Sequence, residues 1–470
     1  MITSAAFSDK KYAVLGLARS GAAAAETLLA SGAEVTAWDR QDVAREPFEG
    51  RCELADPMSI NLAGYAGVVV SPGVPLNTHP IAEHAAKFGV PVIGDIELFA
   101  QARSNLPPHK VVGVTGTNGK STTVALIHHI LQSSGVPSRL GGNIGVPILG
   151  EEPLPEGGVY VLELSSYQID LTQSLDCEVA VLLNITPDHL DRYDGFEAYA
   201  ASKERLFEMQ SLEYPSIVGE HIWRHHMPLY SRWQDRKYHQ LWCMPNVNPD
   251  NPFDYDEWPE KKLSQQSEWP SLQGPHNWEN ALVAIIACQA VGLDDAAIAA
   301  GLRTFTGLPH RMERTAEHDG VLYINDSKAT NQASTAPALG AYPPDLAINN
   351  GAPRIHWILG GLAKEDGLGE CEDYLGNIAQ AYTIGEAGPR FAELLEGRVN
   401  VHRAELLCDA VTQAKMNARK GDVVLFSPAC ASFDQFRDFE KRGEHFRQVV
   451  AALIGEAEPS PDHRSEGVNA

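Results

Sequence analysis

A repeated alternation of short β-branched strands, glycine-containing turns and alanine-rich helical segments constrains this chain more than any other feature. KYAVLGL is followed by GAAAAETLLASG and EVTAWD, and GVVVSPG is followed by HPIAEHAAKFG and VPVIG. This order is typical of parallel sheets, because parallel neighbours need a crossover that is usually a helix. The rhythm returns in KVVGVTG, VYVLELS and VAVLLNI, and again in VLYINDSK, IHWILGG, AYTIGEAG and DVVLFSP. The sequence therefore predicts an α/β protein.

The breaks in this rhythm suggest three domains. A chain of 470 residues exceeds the roughly 150 residues that one domain usually holds. The polar stretch QARSNLPPHK and the later segment GLRTFTGLPHR place the domains at 1–97, 98–308 and 309–458, and 459–470 is predicted to be a disordered polar tail. Residues 213–270 carry little periodicity, and they are either irregular strands that complete the second domain or an insertion.

Charge and cysteine usage limit the possible partners and the compartment. The net charge of −24 gives a field that repels nucleic acid and anionic membranes, so any phosphate site must be local. The seven cysteines are scattered and form no C-x-x-C pair, which indicates free thiols in a reducing compartment. The chain shows no signal-peptide pattern and no long unbroken apolar stretch. We therefore expect a cytoplasmic monomer that binds neither nucleic acid nor membranes.

The strongest local motif is KVVGVTGTNGKST, in which a buried strand runs into a glycine-rich loop and a helix that starts at Lys120. Backbone N–H groups at such a helix start, together with a lysine, form a phosphate cradle, and Ser121 can ligate the accompanying magnesium. Val114 stands where the strict P-loop pattern has its first glycine. The candidate phosphate-binding residues are Gly116, Thr117, Asn118, Gly119, Lys120, Ser121 and Thr122.

Two further strand ends add polar groups to this candidate site. VYVLELS delivers Glu163 at the end of a strand, where ligands of parallel sheets gather and where a carboxylate suits a divalent cation. VAVLLNI leads into NITPDHLD, in which Asp188 is predicted to be an acid at the start of the next helix and His189 can face metal and phosphate. Each of the two has a purely structural alternative when taken alone: a helix-capping acid for Glu163 and a core histidine for His189.

The first glycine turn, Gly16 to Gly21, resembles a dinucleotide fingerprint in which Ala18 replaces the middle glycine. The loss of that glycine weakens a redox-cofactor interpretation but leaves room for another diphosphate at the same helix start. Tight packing of strand against helix is the structural alternative. The turns Ser71-Pro72-Gly73 and Gly141 to Gly145 also follow predicted strands, and their amides can either meet a ligand or simply connect two elements.

The chain resembles the Mur ligase family in seven ordered segments. These are GTNGKST, ELSSYQ, NITPDHLDRY with a later ASKERLF, GPHNWEN, GLPHRME, NDSKATN and SPACASFDQFRDFEKRG. The resemblance covers nearly the whole chain apart from 213–270 and the tail. It implies a Rossmann-like N-terminal domain, a central P-loop ATPase domain and a Rossmann-like C-terminal domain. The implied activity is an ATP-dependent ligation of D-glutamate to UDP-N-acetylmuramoyl-L-alanine through an acyl phosphate, in peptidoglycan precursor synthesis.

The resemblance also assigns roles to individual positions. For the UDP-linked substrate it implies Arg19, Ser20, Asp39, Arg40, Ser71, Pro72, Gly73 and Asn143. For ATP it adds to the phosphate loop Asn277, Asn280, Arg311, Asp326 and Lys328, and for glutamate it implies Thr330, Lys364, Ser432 and Phe439. The implied catalytic residues are Lys120, Glu163, His189 and Lys203, and the implied ligands of two magnesium ions are Ser121, Glu163, His189 and Lys203, the last as a carbamate.

Two other functional classes compete with a ligase. An oxidoreductase built on GLARSG is disfavoured by Ala18 and leaves GTNGKST unexplained. A non-catalytic nucleotide-binding protein would keep the fold without turnover. Within the ligases, folylpolyglutamate synthases and sibling Mur ligases share the central domain, and only the resemblance of the C-terminal motifs argues against them.

Overall fold

The computed structural model describes residues 1–189, 191–219, 222, 241–243, 266–348, 350–364 and 366–455. Contacts divide the chain into two compact units. The first unit holds the described residues before Trp258 together with Asn280–Leu302, and the second holds those between Pro259 and Glu279 together with those from Arg303 on. The predicted tail 459–470 and most of 213–270 lie outside the described residues.

A five-stranded parallel sheet opens the first unit. Its strands are β1 Lys11–Leu15, β2 Glu34–Trp38, β3 Glu53–Leu54, β4 Tyr65–Val70 and β5 Val92–Ile93, and its helices are α1 Arg19–Ala30, α2 Asp42–Arg45, α3 Ile81–Ala86 and α4 Asp95–Ala102. The strand order is β3-β2-β1-β4-β5. Because every pair is parallel, the carboxyl ends of β1, β4 and β5 share one edge.

The second sheet of the first unit is also fully parallel, in the order β11-β10-β9-β6-β8-β7. Its strands are β6 His109–Thr115, β7 Ser138–Gly142, β8 Gly158–Glu163, β9 Val179–Leu182, β10 Ser216–Val218 and β11 Leu241–Cys243. The helices that follow in the chain are α5 Lys120–Ser133, α6 Ser166–Asp170, α7 Gly195–Glu208, α8 Pro275–Val291 and α9 Asp295–Thr304. The predicted helix start at Lys120 is confirmed.

The second unit holds a six-stranded sheet in the order β12-β13-β17-β14-β15-β16. Its strands are β12 Glu313–His318, β13 Val321–Asn325, β14 Ile355–Gly360, β15 Ile378–Ile384, β16 Val401–Glu405 and β17 Val423–Phe426, and its helices are α10 Gln332–Gly340, α11 Gly388–Leu395, α12 Leu407–Asn417 and α13 Phe439–Ile454. Only β12 is antiparallel to its neighbour. The buried strands β13, β14, β15 and β17 match the predicted apolar runs, whereas the more polar edge strands β12 and β16 lack such a run.

The two sheets of the first unit share one continuous hydrophobic core. Phe7, Leu28 and Phe99 from the first sheet's layer pack in the same cluster as Leu149 and Tyr160 from the second. Short 3-10 helices lie at Ala5–Phe7, Glu46–Phe48, Arg103–Asn105, Ile148–Gly150, Gln266–Glu268 and Gly369–Asn377. No helix in the described ranges is both long and apolar enough to cross a membrane.

Candidate active site

The phosphate loop lies between the end of β6 and the start of α5. Gly116 directly follows β6, and Glu163 is the last residue of β8. Because these two strands are parallel neighbours, both residues lie at the same sheet edge. Gly116 and Gly119 have φ angles of 150° and 84°, which favour glycine. A Cβ on Gly119 would lie 2.4 Å from Oδ1 of Asn280, so the structure brings this predicted nucleotide residue onto the loop.

Two side chains that sequence reasoning missed hold the loop in place. Asn184 Oδ1 accepts from the Asn118 N–H at 2.8 Å, and Asn184 Nδ2 donates to the Asn118 carbonyl at 3.0 Å. The Tyr199 hydroxyl lies 3.0 Å from Oγ1 of Thr117. Asn184 stands in the NITPDH motif, and Tyr199 stands one helical turn before Lys203, but neither spacing indicated a contact with the loop.

Two lysine amines meet at one carbonyl oxygen of this loop. Lys120 Nζ donates to the carbonyls of Gly116 at 2.9 Å and Thr117 at 2.7 Å, and Lys203 Nζ donates to the same Gly116 carbonyl at 2.9 Å. The amine of Lys203 also lies 4.8 Å from the centroid of the Tyr199 ring. The residue is 2% exposed. Burial, followed by the charge of Lys120, lowers the pKa of Lys203 well below its ordinary value.

Glu163 has a carboxylate oxygen that no group in the described part of the chain satisfies. The residue is 3% exposed, and its Oε1 accepts from Asn143 Nδ2 at 2.9 Å. Its Oε2 is buried without a hydrogen-bond partner. Such an orphan is costly unless a ligand completes it, and carboxylate oxygen is a donor that magnesium prefers. Glu163 therefore fits the predicted metal role.

His189 lies beside these groups on a strained loop. Its φ is 53°, its side chain is half-exposed, and its Nε2 lies 3.4 Å from Oδ2 of Asp188. Burial lowers the pKa of His189, with the charge of Lys203 acting in the same direction, so the imidazole is neutral at pH 7. The prediction that Asp188 opens the next helix is wrong: α7 begins only at Gly195, because turns intervene, and Asp188 Oδ1 accepts from the His189 N–H at 2.9 Å.

Within the described ranges, no group of three or more histidine, cysteine, aspartate or glutamate side chains is arranged to hold a metal ion. Ser121, the second residue of α5, is buried.

The GLARSG turn at the edge of the first sheet is tightly packed. Gly16 has φ 87°, and a Cβ on Gly21 would lie 1.8 Å from the Gly16 carbonyl oxygen. Ser71 Oγ donates to that same oxygen at 3.0 Å. The Arg19 guanidinium donates to the Gly145 carbonyl, so the structure brings Arg19 to the turn that carries Asn143.

The other residues predicted for the UDP-linked substrate have more varied surroundings. Asp39 uses both carboxylate oxygens on backbone N–H groups, those of Leu17 at 2.7 Å and Gln41 at 2.9 Å. It therefore shapes the turn itself. Among the rest, Arg40 and Gly73 are exposed, Pro72 is half-buried and Ser71 is buried.

Asp95 is a residue of this edge that the sequence analysis did not single out. It is the first residue of α4, separated from the end of β5 by one residue, and it is 2% exposed. Burial raises the pKa of Asp95 to about 6, and the facing side chains of Ser20 and Gln168 moderate the rise. The sequence signal that could have indicated Asp95 is its position directly after a predicted strand and a glycine.

In the second unit, the predicted residues lie at the carboxyl edge of the third sheet. Asp326 accepts from the Met312 N–H at 3.1 Å and from the Ser427 hydroxyl at 2.7 Å. Burial raises the pKa of Asp326 to about 7. Lys328 Nζ lies 4.2 Å from the centroid of the Phe439 ring, so a predicted ATP residue and a predicted glutamate residue are in contact.

The remaining predicted residues of this unit differ in exposure. Ser432 and Asn277 are buried, Arg311 and Thr330 are half-buried, and Lys364 is exposed. Asn277 Nδ2 donates to the Gln273 carbonyl at 3.1 Å.

Comparisons with known proteins show the family of this chain. Residues 114–288 match the Mur ligase middle domain, and residues 310–430 match the Mur ligase glutamate ligase domain. A UDP-N-acetylmuramoylalanine--D-glutamate ligase from Novosphingobium aromaticivorans is 60% identical over 466 residues, which is 98% of this chain and 99% of the relative. The chain belongs to the Mur ligase family.

Other Mur ligases extend the comparison. The protein of the same name from Sphingopyxis alaskensis is 56% identical over 96% of this chain and 100% of its own length. The solved MurF ligase from Thermotoga maritima, in complex with ADP, has a TM-score of 0.56 at 15% identity, covering 96% of this chain and 97% of that one. The UDP-N-acetylmuramate-alanine ligase of the same organism has a TM-score of 0.55 at 15% identity, covering 94% and 99%. These two structures support the Mur ligase fold.

Proposed function

We propose that this chain is an ATP-dependent ligase that joins D-glutamate to UDP-N-acetylmuramoyl-L-alanine in cytoplasmic peptidoglycan precursor synthesis, acting as a monomer. The donor and acceptor come from the shared name of relatives that match nearly the whole chain. The phosphoryl chemistry is supported by one observation above all. A glycine-rich loop, two lysine amines on the Gly116 carbonyl and an unsatisfied Glu163 oxygen lie at one sheet edge.

The chemistry needs ATP because a carboxylate is a poor acyl donor. Its oxygen takes the γ-phosphoryl group of ATP to give an acyl phosphate and ADP, and the amine of glutamate then attacks the acyl carbon and releases phosphate. Lys120 neutralises negative charge on the transferred phosphoryl group, and no enzyme nucleophile is required. Holding the reactants in place provides most of the acceleration.

The residues present fit magnesium, and Ser121 and Glu163 would hold it with His189 nearby. When bound, magnesium would neutralise charge on the phosphate oxygens. We also propose that Lys203 is carbamylated. Its buried amine has a lowered pKa and is therefore neutral often enough to form an N–C bond to carbon dioxide with release of a proton. The product carries one negative charge, which is shared by two oxygens of the kind that magnesium prefers.

The acceptor pocket is proposed to consist of Thr330, Lys364, Ser432 and Phe439. Glutamate brings two carboxylates to a chain with a net charge of −24, so a local cation must compensate. Lys364 is exposed after β14, at the carboxyl edge of the sheet. Lys364→Ala should raise the apparent KM for glutamate about tenfold, whereas Lys420→Ala, before the amino end of β17, should leave it unchanged. A poorer ATP dependence with unchanged glutamate dependence would instead assign Lys364 to the nucleotide.

The function is tested by a coupled phosphate-release assay with ATP, a panel of UDP-muramoyl substrates and both glutamate enantiomers. We expect release only when UDP-N-acetylmuramoyl-L-alanine and D-glutamate are both present. Release with another acceptor would change the proposed substrate. An absorbance change with NAD(H) would favour the oxidoreductase, and nucleotide binding without release would favour a non-catalytic protein.

A further inference from the structure

Arg442 is a fully buried cation whose hydrogen-bond partners are all neutral. It lies in the first turn of α13 and is 1% exposed. Its Nε donates to Ser327 Oγ at 3.1 Å, its Nη2 to the carbonyls of Ser327 at 2.8 Å and Cys430 at 3.0 Å, and its Nη1 to the carbonyl of Ala431 at 3.1 Å. The acid whose charge acts on it, Asp434, accepts from the Glu386 N–H instead.

These four bonds join the two turns that leave the centre of the third sheet. β13 and β17 are parallel neighbours, and Asn325 pairs with Phe426 at their carboxyl ends. Ser327 follows β13 and directly precedes Lys328, and the Cys430–Ala431 pair follows β17 and directly precedes Ser432. Arg442 therefore sets the spacing between the segments that present two residues of the proposed ligand sites.

The same residue is coupled to Phe439, one helical turn earlier. Ser327 Oγ accepts from Arg442 Nε and donates to the Phe439 carbonyl at 2.9 Å. The ring of Phe439 lies against the amine of Lys328. One guanidinium thus positions the segments that carry Lys328, Ser432 and Phe439, of which the last two belong to the proposed acceptor pocket.

Burying a guanidinium without a hydrogen-bonded carboxylate is unfavourable, because desolvation is compensated only by carbonyl and hydroxyl dipoles. Burial lowers the pKa of Arg442 to about 10, so the group is still charged at neutral pH. An anion that binds over the two turns would gain from this positive charge, in a low-dielectric surrounding where charges act strongly.

We propose that Arg442 is a positioning residue for the acceptor, which fixes the turns of Lys328 and Ser432 and favours the binding of a dicarboxylate amino acid. The proposal rests on the proposed function. It does not make Arg442 a catalytic residue, since its donors are already occupied by the protein. A residue that only stabilised the fold would affect all substrates alike, whereas this role predicts a larger effect on the acceptor than on ATP and none on the donor.

Arg442→Lys in the full-length chain tests the role, because it keeps the charge but cannot bridge both turns with a planar fork of donors. We expect the KM for D-glutamate to rise at least about tenfold, with kcat reduced less than about threefold and the KM for the donor within about twofold. The KM for ATP should rise less than that for D-glutamate, because Lys328 adjoins Ser327. Arg390→Lys, an exposed arginine of the same unit, is the matched control and should match the unmodified chain in all three.

Ser327→Ala provides a second variant if Arg442→Lys does not fold. It removes the hydroxyl that accepts from Arg442 and donates to Phe439, and it should raise the KM for D-glutamate about threefold to tenfold.

An unchanged glutamate KM in a folded variant, or an equal loss with all three substrates, would overturn the role of Arg442. If the unmodified chain releases no phosphate with any amino acid, the proposed function itself fails. If it accepts a different acidic amino acid, the same comparison applies with that acceptor.

Discussion

The carbonyl oxygen of Gly116 brings together two lysines that are proposed to serve phosphoryl transfer. It accepts from Lys120 and from the buried Lys203, so two amines share one acceptor. Two like charges at this distance disfavour each other, and the more buried amine, Lys203, has the lowered pKa. This lowered pKa is consistent with the proposal that Lys203 is the lysine that reacts with carbon dioxide.

Lys203→Ala should reduce ligation by at least about a hundredfold, because the charge-stabilising oxygens of the proposed carbamate are lost. Added acetate or formate should restore part of the activity by placing a carboxylate in the vacated space. Lys87→Ala, an exposed lysine of the same unit, is the control. Carbon-13 NMR with labelled bicarbonate should show the carbamate directly, and full activity of Lys203→Ala would refute the role.

Asp95 predicts a pH dependence of stability. Its pKa is about 6 in the folded protein against 3.8 for a free aspartate, so the folded state binds more protons between these values. Its contribution to stability is complete below pH 4 and is lost as pH rises to about 6, by roughly 3 kcal/mol in total. Asp95→Asn should remove this loss and be more stable than the unmodified chain at pH 8. Thermal unfolding at pH 5 and pH 8 measures the difference, and Asp373→Asn, at an exposed position, should change neither value. If Asp95→Asn differed in stability from the unmodified chain by the same amount at pH 5 and at pH 8, the assignment would be contradicted.

At the scale of the element, α5 is a helix whose two ends have different requirements. Gly119 caps its start with φ 84° in contact with Asn280, and Gly135 follows its end with φ 77° and open space around it. Both positions favour glycine for the same backbone reason. Only the first also leaves no room for a side chain.

Gly119→Ala should therefore impair ATP use, whereas Gly135→Ala should not. The first substitution pushes against Asn280 and distorts the N–H groups of the phosphate cradle, and we expect kcat/KM for ATP to fall at least about tenfold. The second carries only the backbone strain of about 1 kcal/mol. Steady-state kinetics and thermal unfolding separate the two effects. Equal losses of kcat/KM in both variants would show that backbone strain alone explains them.

At the scale of the whole molecule, binding functions are assigned to different sheets. The residues predicted for the UDP-linked substrate belong to the first sheet and the Asn143 turn, the phosphate loop belongs to the second sheet, and the residues predicted for glutamate belong to the second unit. A substitution that impairs one of these predicted binding sites should leave ligand binding at the other sites intact.

Lys120→Ala should abolish ligation while calorimetry shows nearly unchanged affinity for the UDP-linked substrate. Lys120 Nζ donates to the Gly116 and Thr117 carbonyls of its own loop, and the GLARSG turn is held by Ser71. The matched measurement is ATP binding, which should weaken. A loss of UDP-substrate affinity as large as the loss of turnover would contradict this separation.

Much of this organisation could be predicted because its signals are local. β-branched runs and glycine turns indicate buried strands and helix starts, so the phosphate loop and Glu163 could be placed by sequence alone. Asn184, Tyr199 and Arg442 could not, because each acts through partners that are distant in sequence. The polar edge strands β12 and β16 lack an apolar run, and Asp188 was misplaced because the turns before α7 carry no clear signal. The domain limits at 97 and 308 and the ligand roles stay predictions.

The shared core of the first unit bears on how this chain can be cut or recombined. A fragment that ended at residue 97 would keep Phe7 and Leu28 but lose Phe99, Leu149 and Tyr160, against which that core packs. It would also lose the Leu149 carbonyl, which accepts from the Ile2 N–H at 2.9 Å and from the Thr27 hydroxyl at 3.1 Å. Exposed apolar surface of this kind promotes aggregation. Chimeras that exchange the first sheet between relatives should therefore carry the facing segment around Leu149 with it.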